Sequence, residues 1–209
     1  MTILKLLSSS QGQKGNEANI ELAKQLAVTG NINAVKELVE NLNNKDKNIR
    51  NDCLKTLYEI GYLNPEMIGD YYGEFLKLLT SKNNRFVWGA MIALATITDL
   101  KHKEIFNTLD LIMNIINKGS VITIDNGIEI LAKLNKYEQY LNITEPLLIE
   151  QLWKCPIKQL PQYIEKSQVS INTKNKEIYL TIIEKRKSEI ENTSQLKRLE
   201  KLLKQINKL

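Results

Sequence analysis

A chain of 209 residues with 43% hydrophobic content has apolar material for one large domain or two small ones, and four prolines and nine glycines are too few for the frequent tight turns of an all-β sandwich. No stretch approaches the ~18 uninterrupted apolar residues of a membrane helix, and the apolar run from Ile3 to Leu7, interrupted by Lys5, is too short for a signal-peptide core. The net charge of +5 is uneven: residues 1–153 carry 16 Lys/Arg against 18 Asp/Glu, whereas residues 154–209 carry 13 against 6. The basic excess therefore falls wholly in the last quarter, which reads as a solubilising end cap or as a contact for an acidic partner.

Taken in chain order, the first element is a helix over 17–30. Its Ile20 and Ala23 keep register with Leu57 and Ile60 further on, and it reads as an N-terminal cap. Residues 31–135 then contain three gapless copies of a 37-residue unit. In the first helix of each copy the columns are Val35, Tyr72, Leu109; Leu38, Phe75, Ile112; Val39, Leu76, Met113; and Leu42, Leu79, Ile116. In the second they are Ile49, Phe86, Thr123; Cys53, Ala90, Gly127; Leu57, Leu94, Leu131; and Ile60, Ile97, Leu134. The i, i+3, i+4, i+7 spacing within each copy is an α-helical stripe. Short polar breaks separate the helices, and Asp46, Asn83 and Ser120 share the column that opens each second helix, where a side-chain oxygen can accept from the free N–H groups of a first turn. The small column of Cys53, Ala90 and Gly127 suits helices crossing at ~8–10 Å. A lone helix pair cannot bury its stripe, so stacking neighbours must supply a continuous core. The chain is expected to be all-α, one solenoid domain over 1–209.

The first copy carries a recognisable pattern: Asp46, then Ile49-Arg50, then Cys53, Leu57 and Ile60. It resembles the second helix of HEAT repeats, in which an Asp, an aliphatic-Arg pair and small and aliphatic residues recur. The resemblance covers Asn31 to Leu134. The other copies keep the apolar columns but place Val87 and Ile124 where Arg50 stands, and the period is shorter than is usual for the family. The resemblance implies a right-handed α-α superhelix of antiparallel helix pairs, with the second helices along an inner, concave wall. It is nearly silent on activity, because solenoids host many roles.

Beyond Asn135 the register is expected to decay into divergent helices and a basic cap over 136–209. Thr144 and Pro146 read as the start of a helix over 145–153, with Trp153 in register with Ile116 and so in the core. Pro161 starts a short helix, and two more follow over 175–190 and 194–209. Leu196, Leu199, Leu203 and Ile206 stripe the last, which reads as a terminal cap; a dimer helix is the alternative, leaving a monomer or weak dimer.

The buried columns locate the exposed ones. The outward row of the second helices is Asn51, Lys55, Glu59 in copy one, Trp88, Ile92, Thr96 in copy two, and Asp125, Glu129, Lys133 in copy three, with Asp52, Gly89 and Asn126 beside them. An indole offers large contact area with few rotors. Trp88 and Ile92, flanked by Asn51, Asp52, Lys55 and Arg85 on one side and by Asp125, Asn126 and Glu129 on the other, are the candidate partner-binding residues of the concave face. Asp52, Asp125 and Glu129 would favour a basic or polar partner. Arg85 can pair with an acid or hold an anion near a helix start. His102 is the only histidine, and it is expected to be solvent-exposed. Cys53 and Cys155 lack metal-ligand spacing and read as free core thiols, with a disulfide as the alternative.

No Gly-rich phosphate loop, nucleophile-histidine pairing or HExxH motif is present, so no catalytic residue, metal ligand or cofactor is expected. The favoured reading is a non-catalytic cytoplasmic scaffold that binds a protein or peptide, without membrane contact. The alternative is nucleic-acid binding in the manner of HEAT-like DNA-repair glycosylases, which set tryptophan and a carboxylate on a concave helical surface; Trp88 and Asp125 are similar to that arrangement, but the central repeats lack its basic stripe.

Overall fold

The computed structural model describes residues 2–209, and no strand occurs among them. Thirteen α-helices follow one another: α1 Glu17–Thr29, α2 Ile32–Glu40, α3 Lys47–Leu63, α4 Glu66–Gly69, α5 Tyr72–Leu78, α6 Asn84–Ile97, α7 His102–Phe106, α8 Leu109–Lys118, α9 Val121–Leu134, α10 Glu138–Lys154, α11 Leu160–Ser167, α12 Lys176–Arg186 and α13 Thr193–Asn207. The chain divides into two compact units, Met1–Thr123 and Ile124–Leu209. No described helix is long and apolar enough to cross a membrane.

In the first unit α3 is the central element. It packs on α1, α2, α4 and α6, and α5 packs on α6. The predicted columns form its interior: Val35, Leu38, Phe75, Cys53, Ala90, Leu57, Leu94, Ile60 and Ile97 are fully enclosed. Tyr72, Leu76 and Ile49 are only half-buried because they sit at helix ends or edges. The caps follow the sequence. The Asp46 carboxylate accepts from the Asn48 N–H at 2.7 Å, and the Asn83 side-chain carbonyl accepts from the Arg85 N–H at 3.1 Å. Ser120 instead pairs through its hydroxyl with that of Thr123, at 3.1 Å.

Successive second helices approach closely at two glycines. A Cβ on Gly89 of α6 would stand 2.5 Å from Leu54 Cδ2 of α3, and one on Gly61 of α3 would meet the Thr96 hydroxyl. Thr96, expected in the outward row, is therefore buried at this crossing, its hydroxyl donating to the Ala93 carbonyl at 2.7 Å. The short helices α4 and α7 fill the connections ahead of α5 and α8. His102, expected to be exposed, is half-buried because it opens α7, a helical turn the hydrophobic pattern does not signal.

In the second unit α10 packs on α11 and α12, and α13 packs on α11 and α12. Two expectations are corrected here. The α10 helix runs from Glu138 with Pro146 inside it, not from Thr144. Its buried stripe is Tyr140, Thr144, Leu148 and Leu152, so Trp153 lies one residue, about 100° of helix turn, beyond the stripe and is 39% exposed. The Lys185 ammonium sits 5.9 Å from its ring centroid. The 37-residue register also persists past Asn135 as a hydrogen-bonded ladder: Gln162 donates to Asp125 at 2.7 Å, Lys166 to Glu129 at 2.5 Å, and Gln168 to Gln205 at 3.1 Å.

Candidate functional site

The first unit holds six of the predicted contact residues around one hollow. Asn51 and Lys55 lie one turn apart on α3, and Trp88 and Ile92 one turn apart on α6. The 37-residue repeat sets Asn51 and Trp88 in one column and Lys55 and Ile92 in another, and the Gly89–Leu54 approach holds the two helices close enough to share a wall. These four, with Asp52 and Arg85, line a hollow of about 210 Å³. Trp88 and Ile92 are half-buried, and the guanidinium-bearing Arg85 is exposed.

Sequence reasoning missed the rest of the lining. Leu54, Tyr58, Asn16 and Ile122 complete it. Two were available from the pattern: Tyr58 lies seven residues after Asn51 on the same helix face, and Ile122 occupies the Arg85 column of the next copy. The contribution of the N-terminal segment was not, because it depends on contacts between residues far apart in the chain. A second hollow of about 390 Å³ shares Asn16, Asn51, Asp52 and Arg85 with the first and adds Ser8, Ser9, Lys14 and Asn48.

Asp52 ties that segment down. Its Oδ2 accepts from the Ser9 N–H at 2.8 Å and its Oδ1 from the Asn19 side-chain amide at 2.9 Å. The Asn19 carbonyl accepts in turn from the Ser8 N–H at 2.9 Å. Asp52 is only 9% exposed, and its oxygens serve the fold. Lys55 is likewise engaged: its ammonium meets Glu59 at 2.5 Å and lies 4.7 Å from the Tyr58 ring centroid. Burial pulls the Lys55 pKa down, but Glu59 and the Tyr58 phenol outweigh it and hold the group above the ordinary lysine value. The Arg50 guanidinium stacks over Phe86 at 4.9 Å, linking α3 to α6. The Asn51 side-chain carbonyl oxygen, on the lining, is enclosed without a hydrogen-bond partner among the described residues.

The other three predicted residues, Asp125, Asn126 and Glu129, lie on α9 within the second unit. Asn126 is buried. Burial raises the Asp125 carboxyl above its usual range, against the opposing influence of the Tyr163 phenol, Lys166 and Gln162. Burial pushes Glu129 the same way, but Lys166 at 2.5 Å and Lys133 at 2.9 Å outweigh it, and Glu129 titrates below the ordinary carboxylate. The Asp125 and Glu129 side chains serve this unit's ladder through Gln162 and Lys166. Among the described residues no group of three or more His, Cys, Asp or Glu is placed to hold a metal ion. Cys53 and Cys155 are both buried and free.

Residues 20–155 match the family described as "Protein of unknown function (DUF1186)". No curated protein matches the chain. Among solved structures, a designed armadillo repeat protein in complex with the peptide (KR)4 is 18% identical, with a TM-score of 0.62 over 88% of this chain and 85% of its own. A computationally designed armadillo repeat protein for modular peptide recognition is 19% identical, with a TM-score of 0.60 over 97% and 90%. An engineered protein from a structural genomics consortium is 17% identical, with a TM-score of 0.63 over 100% of both chains. These similarities show the fold: an all-α helical-repeat solenoid of the armadillo and HEAT-like class.

Proposed function

We propose that this chain, which belongs to the DUF1186 family, is a non-catalytic scaffold that holds a peptide or protein segment in the hollow between α3 and α6. The observation that carries the reading is that six residues chosen from the repeat alone, Asn51, Asp52, Lys55, Arg85, Trp88 and Ile92, line one hollow. A half-buried indole beside a branched apolar side chain is the kind of anchor on which binding energy concentrates. That similar folds were designed for peptide recognition supports the mode of use.

Two finer points belong to the same reading. The array is of the HEAT type rather than the armadillo type, on the strength of Asp46 as helix cap and Arg50 against Phe86. The protein works in the cytoplasm, in keeping with two buried free cysteines. Asp125, Asn126 and Glu129 form a separate contact row on α9, subordinate because each is engaged within its own unit.

The test is retention of peptides from a random display library on the immobilised full chain. The reading expects sequences retained by the native chain and lost by Trp88→Ala, with the helical circular dichroism of the two indistinguishable. Retention that survives the substitution removes the hollow from the reading.

Nucleic-acid binding stands as a second reading on one observation. On α13, Lys197, Lys201 and Lys204 are exposed, and the exposed C-cap Lys208 continues the helical spacing. Such a stripe suits a run of phosphates.

A further inference from the structure

We propose that the segment held beside Trp88 carries an acidic side chain next to an apolar one, the carboxylate meeting Arg85 and Lys14 and the apolar group lying against Trp88 and Ile92. This inference rests on the scaffold reading and specifies its partner.

It follows from how the charges around the two hollows, which share part of their lining, are already used. Four charged residues line them: Lys14, Asp52, Lys55 and Arg85. Asp52 has both oxygens occupied by Ser9 and Asn19 and is nearly closed to solvent. An incoming ammonium would reach little of the Asp52 carboxylate. Lys55 is neutralised by Glu59. Lys14 and Arg85 remain, both exposed, and neither forms an ion pair among the described residues. The open charges are therefore cations, which favours an acidic occupant over the basic one that the sequence suggests.

The layout of the lining fixes the order of groups in the occupant. Arg85 and Asn51 line both hollows. Trp88, Ile92 and Ile122 line only the first, and Lys14 only the second. A carboxylate at Arg85 therefore has an apolar wall on one side and a second cation on the other. A guanidinium is suited to this role because it can bind a carboxylate through two parallel N–H donors.

The experiment reads the composition of the peptides selected above, then measures one of them, synthesised with a fluorescein label, by anisotropy on the full chain. The expected result is enrichment of Asp or Glu beside Leu, Ile, Phe or Trp. Arg85→Gln should weaken the synthesised peptide about tenfold, and Arg85→Glu should weaken it further while admitting its lysine-for-glutamate counterpart. Arg85 is exposed, so neither change threatens folding, and circular dichroism checks this. Selection of basic or neutral sequences that still require Trp88 overturns the acidic partner and leaves the scaffold standing. Absence of any Trp88-dependent peptide overturns both. A single-stranded oligonucleotide that displaces the peptide and is itself weakened by Trp88→Ala identifies the anion as phosphate and also overturns the inference.

Discussion

Gly89 of α6 lies so close to Leu54 of α3 that a side-chain carbon on the glycine would stand 2.5 Å from Leu54 Cδ2 and 2.6 Å from its Cγ. The position has an ordinary helical backbone, so the glycine is there for space rather than for conformation. Leu54 is enclosed and cannot swing aside. Gly89→Ala gains up to about 1 kcal/mol of helix propensity but forces a methyl into a filled crossing, which costs about 1–3 kcal/mol. The expected outcome is a net loss of stability in urea unfolding. Gly89→Ala combined with Leu54→Ala should be more stable than the sum of the two single changes predicts, because the second change makes room for the first. Strict additivity would show that the two residues do not share the crossing.

The Asp52–Asn19 pair predicts a local effect with a defined address. Asp52→Ala removes the acceptor for the Ser9 N–H and the Asn19 amide. Leaving buried donors unmatched costs about 1–3 kcal/mol. Hydrogen exchange should show the loss first at the amides of Ser8 and Ser9, while the amides of α6 remain protected. Uniform deprotection across the first unit would show that Asp52 supports the whole unit rather than the N-terminal segment.

Much of the interior was legible because it is written at helical spacing. Leu38, Phe75 and Ile112 share one column and all three are enclosed. The Asp46 and Asn83 caps were legible for a similarly local reason, since an N-cap oxygen needs only the two or three residues that follow it. The face of the hollow was half legible: the column holding Asn51 and Trp88 was found, but not the role of Asp52. That role depends on a partner 33 residues earlier and on a loop 43 residues earlier, and no periodicity records such pairs. Trp153 was misplaced because the 37-residue register sets it in the Ile116 column. With the helix already under way from Glu138, the buried stripe falls on Leu148 and Leu152 instead.

The two carboxylates of α9 predict opposite responses to pH. The Glu129 pKa is held below 4.5 in the fold, so its charged form stabilises the protein at neutral pH, and this contribution disappears as pH falls through the lowered value. The Asp125 pKa is raised above 3.8, so the fold favours its protonated form and loses stability as pH rises through that raised value. Glu129→Gln should therefore reduce stability at pH 7 and flatten the acid limb of a stability profile. Asp125→Asn, which keeps an oxygen for Gln162 to donate to, should raise stability at pH 7 and give no gain near pH 3. Urea midpoints from pH 3 to 8 check both, and parallel behaviour of the two variants would contradict the assignment.

Burial and the neighbouring charges of Asp52 and Glu37 push the Cys53 thiol up to about 12. Burial also raises Cys155, against the opposing pull of Arg186, whose Nη1 lies 3.5 Å from its sulfur. The thiolate is the reactive form, so neither cysteine should react with a thiol reagent at pH 8 in the native protein. In denaturant both should react promptly. Rapid labelling of one thiol under native conditions would place that cysteine at an opening of the fold.

The lysine stripe of α13 gives the two functional readings different signatures. Electrostatic attachment to a nucleic acid falls with salt in proportion to the phosphates neutralised, with a slope of roughly 0.7 to 0.9 per contact. If Lys197, Lys201, Lys204 and Lys208 each meet a phosphate, replacing all four with glutamine should lower the logarithmic salt slope by roughly 3. Binding of a 20-nucleotide single strand to the native chain should be weak, steeply salt-dependent and indifferent to Trp88→Ala, because the attraction comes from the exposed stripe and not from the hollow. The peptide selected on the hollow should behave in the reverse manner, losing its affinity with Trp88 and keeping it when the four lysines are gone. An oligonucleotide that depends on Trp88 as well as on the lysines would join the two sites into one function and displace the peptide reading.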